Sequence, residues 1–285
     1  MIMKQIMKKF IILLIVCPVY IVAQIAEGGG AYIKNNGKLV NSLVYKNYAA
    51  MGFGVSGSSG FVINCNINGN LYLNKEIMLP GDLYLIDGSI YTPTFTNGIL
   101  NSIPDSIKNL VVGVCFWSNA NNNYINAQFW ITSVDEAPFK IRWGSQLDVS
   151  NLYNYQTADY ILYDLDGKTN TASILNAYGA SATGNNCAAK FCAGYGTPSY
   201  VGKWFLPSGG QMRELLRSSP VINPVLEKLN KSNISLNTNY WVSNEYSSTN
   251  GWSVKTTNGS SITSDNTSKD QTLNVRPMFI LTRSY

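Results

Sequence analysis

The stretch Tyr240-Trp241-Val242-Ser243-Asn244-Glu245-Tyr246, read with the closing Val275-Arg276-Pro277-Met278-Phe279, decides what kind of molecule this chain builds. Bulky apolar residues alternate there with Ser, Thr and Asn, the period-two pattern of strands that bury one face. Asn250-Gly251 and Asn258-Gly259 predict turns between these strands, because both residue types tolerate the positive φ of hairpin turns. Residues 239–283 therefore read as a closing antiparallel sheet whose outer face carries small polar groups. Asn244, Tyr246, Ser248, Asn250, Ser253, Lys255, Thr257 and Asn258, joined by Ser260, are the candidate ligand-binding residues. A tyrosine among short hydroxyls and amides is the mixture that binding surfaces use for adaptable contacts.

Upstream of that sheet the pattern changes twice. Val111 to Trp117 is an almost unbroken apolar run, as in a strand buried on both faces, and Gln128 to Val134 predicts a second strand. Thr169–Tyr178 and Asn185–Cys192 read as helices. Ser208 and Gln211 form a capping-box signature ahead of Met212, Leu215 and Leu216, so a helix is expected to start at Ser208. Asn223 followed by Pro224 predicts the start of another short helix through Leu226 and Leu229. Strands, then helices, then a closing sheet make the fold class α+β.

Residues 24–79 form a smaller β-rich unit. Phe61 to Ile67 alternates, Asn68-Gly69 follows, and Asn70 to Leu73 resumes, which predicts a hairpin. Before it, residues 1–23 read as a secretory signal peptide: Lys4, Lys8 and Lys9, then an apolar run from Phe10 to Val22, then Ala23. Attachment to a membrane is expected only if Cys17 is lipidated. Val16 stands where a lipid-attachment motif takes Gly or Ala, and Pro18 follows. The chain is thus expected to be exported, at the cell surface or free outside it.

Composition excludes whole classes of chemistry. The chain has no histidine, which removes every imidazole acid, base or metal ligand. Loss of the leader would take away three lysines, so the formal charge of +5 falls to about +2 with no clustered basic stripe, and no nucleic-acid partner is expected. Cys65, Cys115, Cys187 and Cys192 are expected as buried thiols. Cys187 and Cys192 lie on a segment read as helical, where a five-residue separation rises about 7.5 Å, beyond disulfide reach.

Acidic pairs are few. Asp135-Glu136 and Asp164/Asp166 are the close clusters, and neither has a second feature that would make it a glycosidase pair. Aligning Asp164, Asp166 and Gly167 with a calcium-loop pattern puts Leu162 and Ser173 at its first and last ligand positions, where neither can serve. A turn leading into a helix is expected instead. Trp204, Trp241 and Trp252 are expected in the core, where their area anchors a small domain. Arg276 is expected as a buried structural arginine paired with Glu214 or Glu245. No cofactor, metal site or catalytic residue is expected.

Several motifs follow one another in an order that points to a family. They include Gly81-Asp82-Leu83-Tyr84, Val112 to Trp117, Ser133-Val134-Asp135-Glu136, Trp143-Gly144, and Asp166-Gly167-Lys168-Thr169. Trp204-Phe205-Leu206-Pro207-Ser208, Glu214-Leu215, Tyr240 to Ser248, Trp252 and Val275-Arg276-Pro277 complete the set. Over residues 80–285 the chain resembles the Lcl C-terminal-like domain family of exported bacterial proteins; residues 24–79 are not covered. The resemblance implies a C-type-lectin-like fold, with a twisted antiparallel sheet and flanking helices. It also implies an adhesin-type role, with a glycan or surface protein as ligand and fimbrial subunits as alternative partners. Relatives include assembly subunits of surface fimbriae, variable receptors of diversity-generating retroelements and, distantly, formylglycine-generating-type enzymes. The Glu-Pro-Asn and Gln-Pro-Asp triplets of calcium-dependent sugar binders do not occur, so calcium-mediated sugar capture is not carried over.

Overall fold

The computed structural model of the chain describes residues 31–33, 37–40, 55–57, 60–63, 78–96, 99–119, 126–197, 199–200, 202–257 and 261–284. The signal-peptide reading, Cys65, the Asn68-Gly69 turn, Asn258 and Ser260 lie outside these residues. The chain divides into two units, Met1–Asn74 with Thr94–Ile99, and Lys75–Pro93 with Leu100–Tyr285.

In the first unit β1 (Ala31–Ile33) pairs in parallel with β3 (Val55–Gly57), and β2 (Gly37–Val40) with β4 (Gly60–Ile63). The stretch expected to lead a hairpin thus begins as a parallel partner of β2. Period-two alternation marks a strand but does not choose its neighbour.

The second unit carries a five-stranded sheet in the order β16-β10-β9-β5-β6. Its members are β5 (Leu83–Leu85), β6 (Ile90–Tyr91), β9 (Val111–Ser118), β10 (Asn126–Ser133) and β16 (Met278–Ser284), and every pairing is antiparallel. The short strands β7 (Phe95–Thr96) and β8 (Ile99–Leu100) lie between β6 and β9 in sequence. A separate three-stranded sheet runs β12 (Tyr240–Glu245), β13 (Asn250–Thr257), β14 (Ser261–Ser268), and β11 (Ile141–Arg142) pairs with β15 (Thr272–Leu273). The helices are α1 (Asp105–Lys108), α2 (Ala158–Ile161), α3 (Gly167–Tyr178), α4 (Ala188–Ala193) and α5 (Gly209–Lys228). Antiparallel sheets with a few helices make this an α+β unit.

The expected break before Pro224 does not occur. α5 runs unbroken from its Ser208–Gln211 capping box to Lys228 with Pro220 and Pro224 inside it. Pro220 has no N–H for the Leu216 carbonyl, and the Ser219 hydroxyl donates to that carbonyl instead, at 2.8 Å. Asn223 is no cap. Its side chain accepts from Ile234 N at 2.8 Å and donates to Ile234 O at 3.1 Å, fastening the segment after the helix.

The core is aromatic. Trp143, Trp204, Trp241, Tyr240, Phe116 and Phe129 are fully buried, and Trp252 nearly so. Burying an indole strands its N–H unless a carbonyl meets it. Trp143 donates to Val242 O at 2.7 Å and Trp241 to Ile141 O at 2.8 Å, so the two rings pin β11 and its following loop to β12. Cys187, Cys192, Ile174, Tyr178 and Leu206 complete this cluster. Gly251 lies so close that an added Cβ would stand 2.8 Å from the Trp143 ring. The expected turn at Asn250-Gly251 is therefore the start of β13, its glycine required by the indole packed on it, and the chain reverses at Tyr246–Thr249. Cys115, Cys187 and Cys192 are free and buried, and burial pushes each thiol up from its ordinary value.

Candidate functional site

β12 is buried at all six of its positions, so its polar residues face partners inside the protein. Asn244 is 1% exposed. Its amide donates to Asp164 Oδ2 at 2.6 Å, and its carbonyl oxygen accepts from Gly209 N, an open N–H of the first turn of α5, at 2.8 Å. Asp164 also accepts from Asn170 at 2.8 Å and from Asp166 N at 2.9 Å. Asp166 caps α3 by accepting from Thr169 N at 3.3 Å. The Asp164/Asp166 pair thus ties the N-termini of α3 and α5 together, as a turn and helix lead-in. An added Cβ on Gly209 would stand 2.5 Å from Ile161 O, so the Ser208-Gly209-Gly210 sequence is what lets the chain come this close.

Ser253 is buried too, within 3.3 Å of Asp265 O and Thr267 Oγ1. Asn244 and Ser253 therefore do not belong to an outer polar face, because the groups expected to meet a ligand are consumed by internal hydrogen bonds. Among the other expected ligand residues, Tyr246, Ser248 and Asn250 gather at the β12–β13 reversal, half-buried or exposed. Lys255 and Thr257 sit at odd positions along β13 and so point to the opposite face from Asn250. Lys255 is paired there with Asp265 at 3.0 Å.

Glu245 and Arg276 are structural, with partners other than those expected. Glu245 forms a fully buried ion pair with Lys269, which also donates to Leu147 O at 2.7 Å and lies 4.6 Å from the centre of the Trp143 ring. Glu245 accepts from Val149 N at 3.2 Å, so the pair holds the loop of residues 143–149 against β12. Burial pushes the Glu245 carboxyl up and the Lys269 amine down, against their mutual attraction. Arg276 pairs with Glu136 at 3.5 Å and donates to the carbonyls of Ser133, Val134 and Ser232. Glu136 also accepts from the Tyr240 hydroxyl. Glu214 is shared by Arg213 at 2.8 Å and Arg217 at 3.2 Å. Of the Asp135-Glu136 pair, Asp135 is bridged to Lys231 at 2.8 Å.

What the second unit offers to solvent near β12–β14 is a tyrosine-bearing segment, residues 153–163, that the strand pattern did not reveal. Tyr153, Tyr160 and Tyr163 are 71%, 66% and 73% exposed. Between Tyr153 and Tyr160 the segment is held on the sheet and its reversal through residues 155, 156 and 158. Tyr155 N donates to Glu245 O at 3.1 Å, Trp252 Nε1 to Tyr155 O at 3.0 Å, Gln156 Nε2 to Tyr246 O at 3.0 Å, and Ser264 Oγ to Ala158 O at 3.3 Å. Tyr153 and Tyr155 meet edge to face at 4.8 Å, as do Tyr246 and Trp252 at 5.4 Å. The signal was available in the sequence: four tyrosines fall within residues 153–163.

Beside this segment lies a hollow of about 190 Å³ lined by Asp159, Leu162, Tyr163, Arg213, Arg217 and Ile262. The Arg213 guanidinium stands 5.4 Å from the Tyr163 ring centre while Glu214 holds it from the other side. A contact of this kind contributes about 0.5–1 kcal/mol at an exposed site, enough to favour one rotamer of the ring. A hollow of about 570 Å³ beside α1 contains Lys108 and Lys231, each already paired with a carboxylate. Among the described residues no group of three or more thiols and carboxylates is placed to hold a metal ion, and no helix is long and apolar enough to cross a membrane.

No protein-family model matches the chain, and no curated protein matches it in sequence. Among solved structures it is similar to a fimbrial protein from Bacteroides ovatus, at 15% identity and a TM-score of 0.50. The match covers 79% of this chain and 51% of that one, so this chain spans about half the length of the fimbrial protein. At that identity the likeness concerns the fold.

Proposed function

We propose that this chain is an exported recognition module of the bacterial surface, with a C-type-lectin-like second unit of the Lcl C-terminal-like kind. It binds a glycan or a surface protein across residues 153–163 and the β12–β13 reversal, without transforming it. The observation that carries this reading is the set of exposed tyrosines on a segment tethered to the sheet and its reversal at residues 155, 156 and 158. Ordered aromatic side chains give up little entropy on binding and contact both apolar and hydrogen-bonding groups. The buried carboxylates support it as well, since each is engaged by an amide, a cation or a backbone N–H. Capture on glycan arrays and pull-downs from envelope fractions, with the mature chain and its Tyr153→Ala/Tyr160→Ala variant, tests the reading. Binding by the parent and its loss in the variant is the expected result; equal capture by both sinks it.

A second reading is favoured by the fold likeness to a fimbrial protein: the chain as an assembly subunit of a surface fimbria. Crosslinking in cells distinguishes the two. A ladder of covalent products containing this chain at regular mass steps supports assembly, and a single product with a foreign partner supports recognition.

A further inference from the structure

We infer that the hollow between α2 and the first turns of α5 is a metal-independent subsite for one neutral hexose unit of a glycan. Tyr163 is its stacking platform, and Asp159 and Arg217 take the sugar hydroxyls. The inference rests on the recognition reading above and adds to it the ligand class and the residues.

Size comes first. Pockets for drug-sized ligands run from about 300 Å³ upward, so a hollow of about 190 Å³ suits a single ring better than an extended ligand. Its apolar part is Leu162, Ile262 and the Tyr163 ring. Arg213 takes one face of that ring, and the tyrosine is nonetheless 73% exposed, so ring surface remains for the C–H face of a sugar.

The polar part selects the chemistry. Arginine only donates hydrogen bonds and a carboxylate only accepts them, whereas each hydroxyl of a sugar does both. Neighbouring hydroxyls therefore bridge Asp159 and Arg217 and leave neither without a partner. An apolar side chain of a protein ligand would strip water from both charges and return no hydrogen bond, which is costly. Arg213 and Arg217 both pair with Glu214, which is not part of the lining, and Asp159 lines the hollow, so two carboxylates offset the two cations. The balance favours a neutral sugar over an acidic one. The lining holds one carboxylate, fewer than a calcium ion takes, so the contacts proposed are those of the side chains themselves.

The test is saturation-transfer NMR on the full mature chain with methyl α-mannoside, methyl β-galactoside, methyl β-glucoside and methyl β-glucuronide, with and without EDTA. At least one neutral hexoside should receive saturation on its ring protons, unchanged by EDTA. Its affinity should fall about tenfold or more in Tyr163→Ala and in Asp159→Asn, while Tyr163→Phe keeps it. Unchanged thermal melting of the variants shows that the loss is local. Silence with every neutral hexoside, transfer that survives Tyr163→Ala, or tighter binding of the glucuronide overturns the subsite. Glycan capture that Tyr153→Ala abolishes and Tyr163→Ala leaves intact also overturns it, while leaving the recognition reading standing.

Discussion

β12 and the segment of residues 153–163 lie against each other, share hydrogen bonds and have opposite fates. Ser243, Asn244 and Glu245 are polar and wholly internal, whereas Tyr153, Tyr160 and Tyr163 are large, partly apolar and turned to solvent. The difference teaches that availability to a ligand follows from who has already satisfied a group, and hydrophobicity is a poor guide to it. An amide under a helix N-terminus is used up by the helix. A tyrosine on a strapped loop has its backbone satisfied and its ring left over.

That contrast can be broken in four ways, of decreasing size. Lys269→Ala should cost the most, about 3–5 kcal/mol, because it leaves Glu245 buried without its cation. Urea unfolding measures this, and a loss below about 1 kcal/mol would mean that the pair is open to water.

The second concerns a buried carboxylate, Asp82, that has no ion pair among the described residues. Burial pushes Asp82 up to about 6 from 3.8, and its bond from Leu79 N at 2.6 Å and one with Thr92 only partly offset that. The folded form therefore holds the proton more tightly than the unfolded chain. The stability this gives is fully present below about pH 4 and is lost as pH rises through about 6, a fall of about 2–3 kcal/mol. Denaturation midpoints of the parent and Asp82→Asn across pH 4 to 7 should converge at the acid end and separate above it, with the variant the more stable.

Third, Asn244→Ala should cost about 1–3 kcal/mol, since it strips a partner from Gly209 N–H and from Asp164. A neutral result in thermal melts would return Asn244 to the candidate ligand surface. Fourth, and smallest for stability, Tyr153→Ala and Tyr160→Ala should stay within about 0.5 kcal/mol of the parent. Calorimetry showing a larger loss would make those rings part of the fold.

Much of the architecture was legible in the residues. The apolar run at Val111 to Trp117 is β9, the capping box at Ser208 starts α5, and the three expected tryptophans are buried. Local signals failed where packing outweighed a local preference. Pro224 reads as a helix start because proline removes an N–H, but α5 runs through it, and Asn223, read as a cap, instead holds Ile234 11 residues on. Alternation in Tyr240 to Tyr246 reads as one wet face. The strand is instead covered on both sides, by α5 on one and by the Trp143–Trp241 cluster on the other. Arg276 was recognisable as a structural arginine, but Glu136, 140 residues away, was not recognisable as its partner.

By itself the sequence determined the kinds of element, the aromatic character of the core and the absence of imidazole chemistry, because these depend on composition and short-range periodicity. Only the tertiary structure decided which polar groups remain for another molecule. Asn244 is spent on Gly209 and Asp164, 35 and 80 residues away along the chain. Tyr153, Tyr160 and Tyr163 stay exposed on a segment that bonds to the sheet and its reversal through residues 155, 156 and 158. Hydrogen-bond satisfaction is a property of neighbours in space, and a one-dimensional reading supplies neighbours only along the chain.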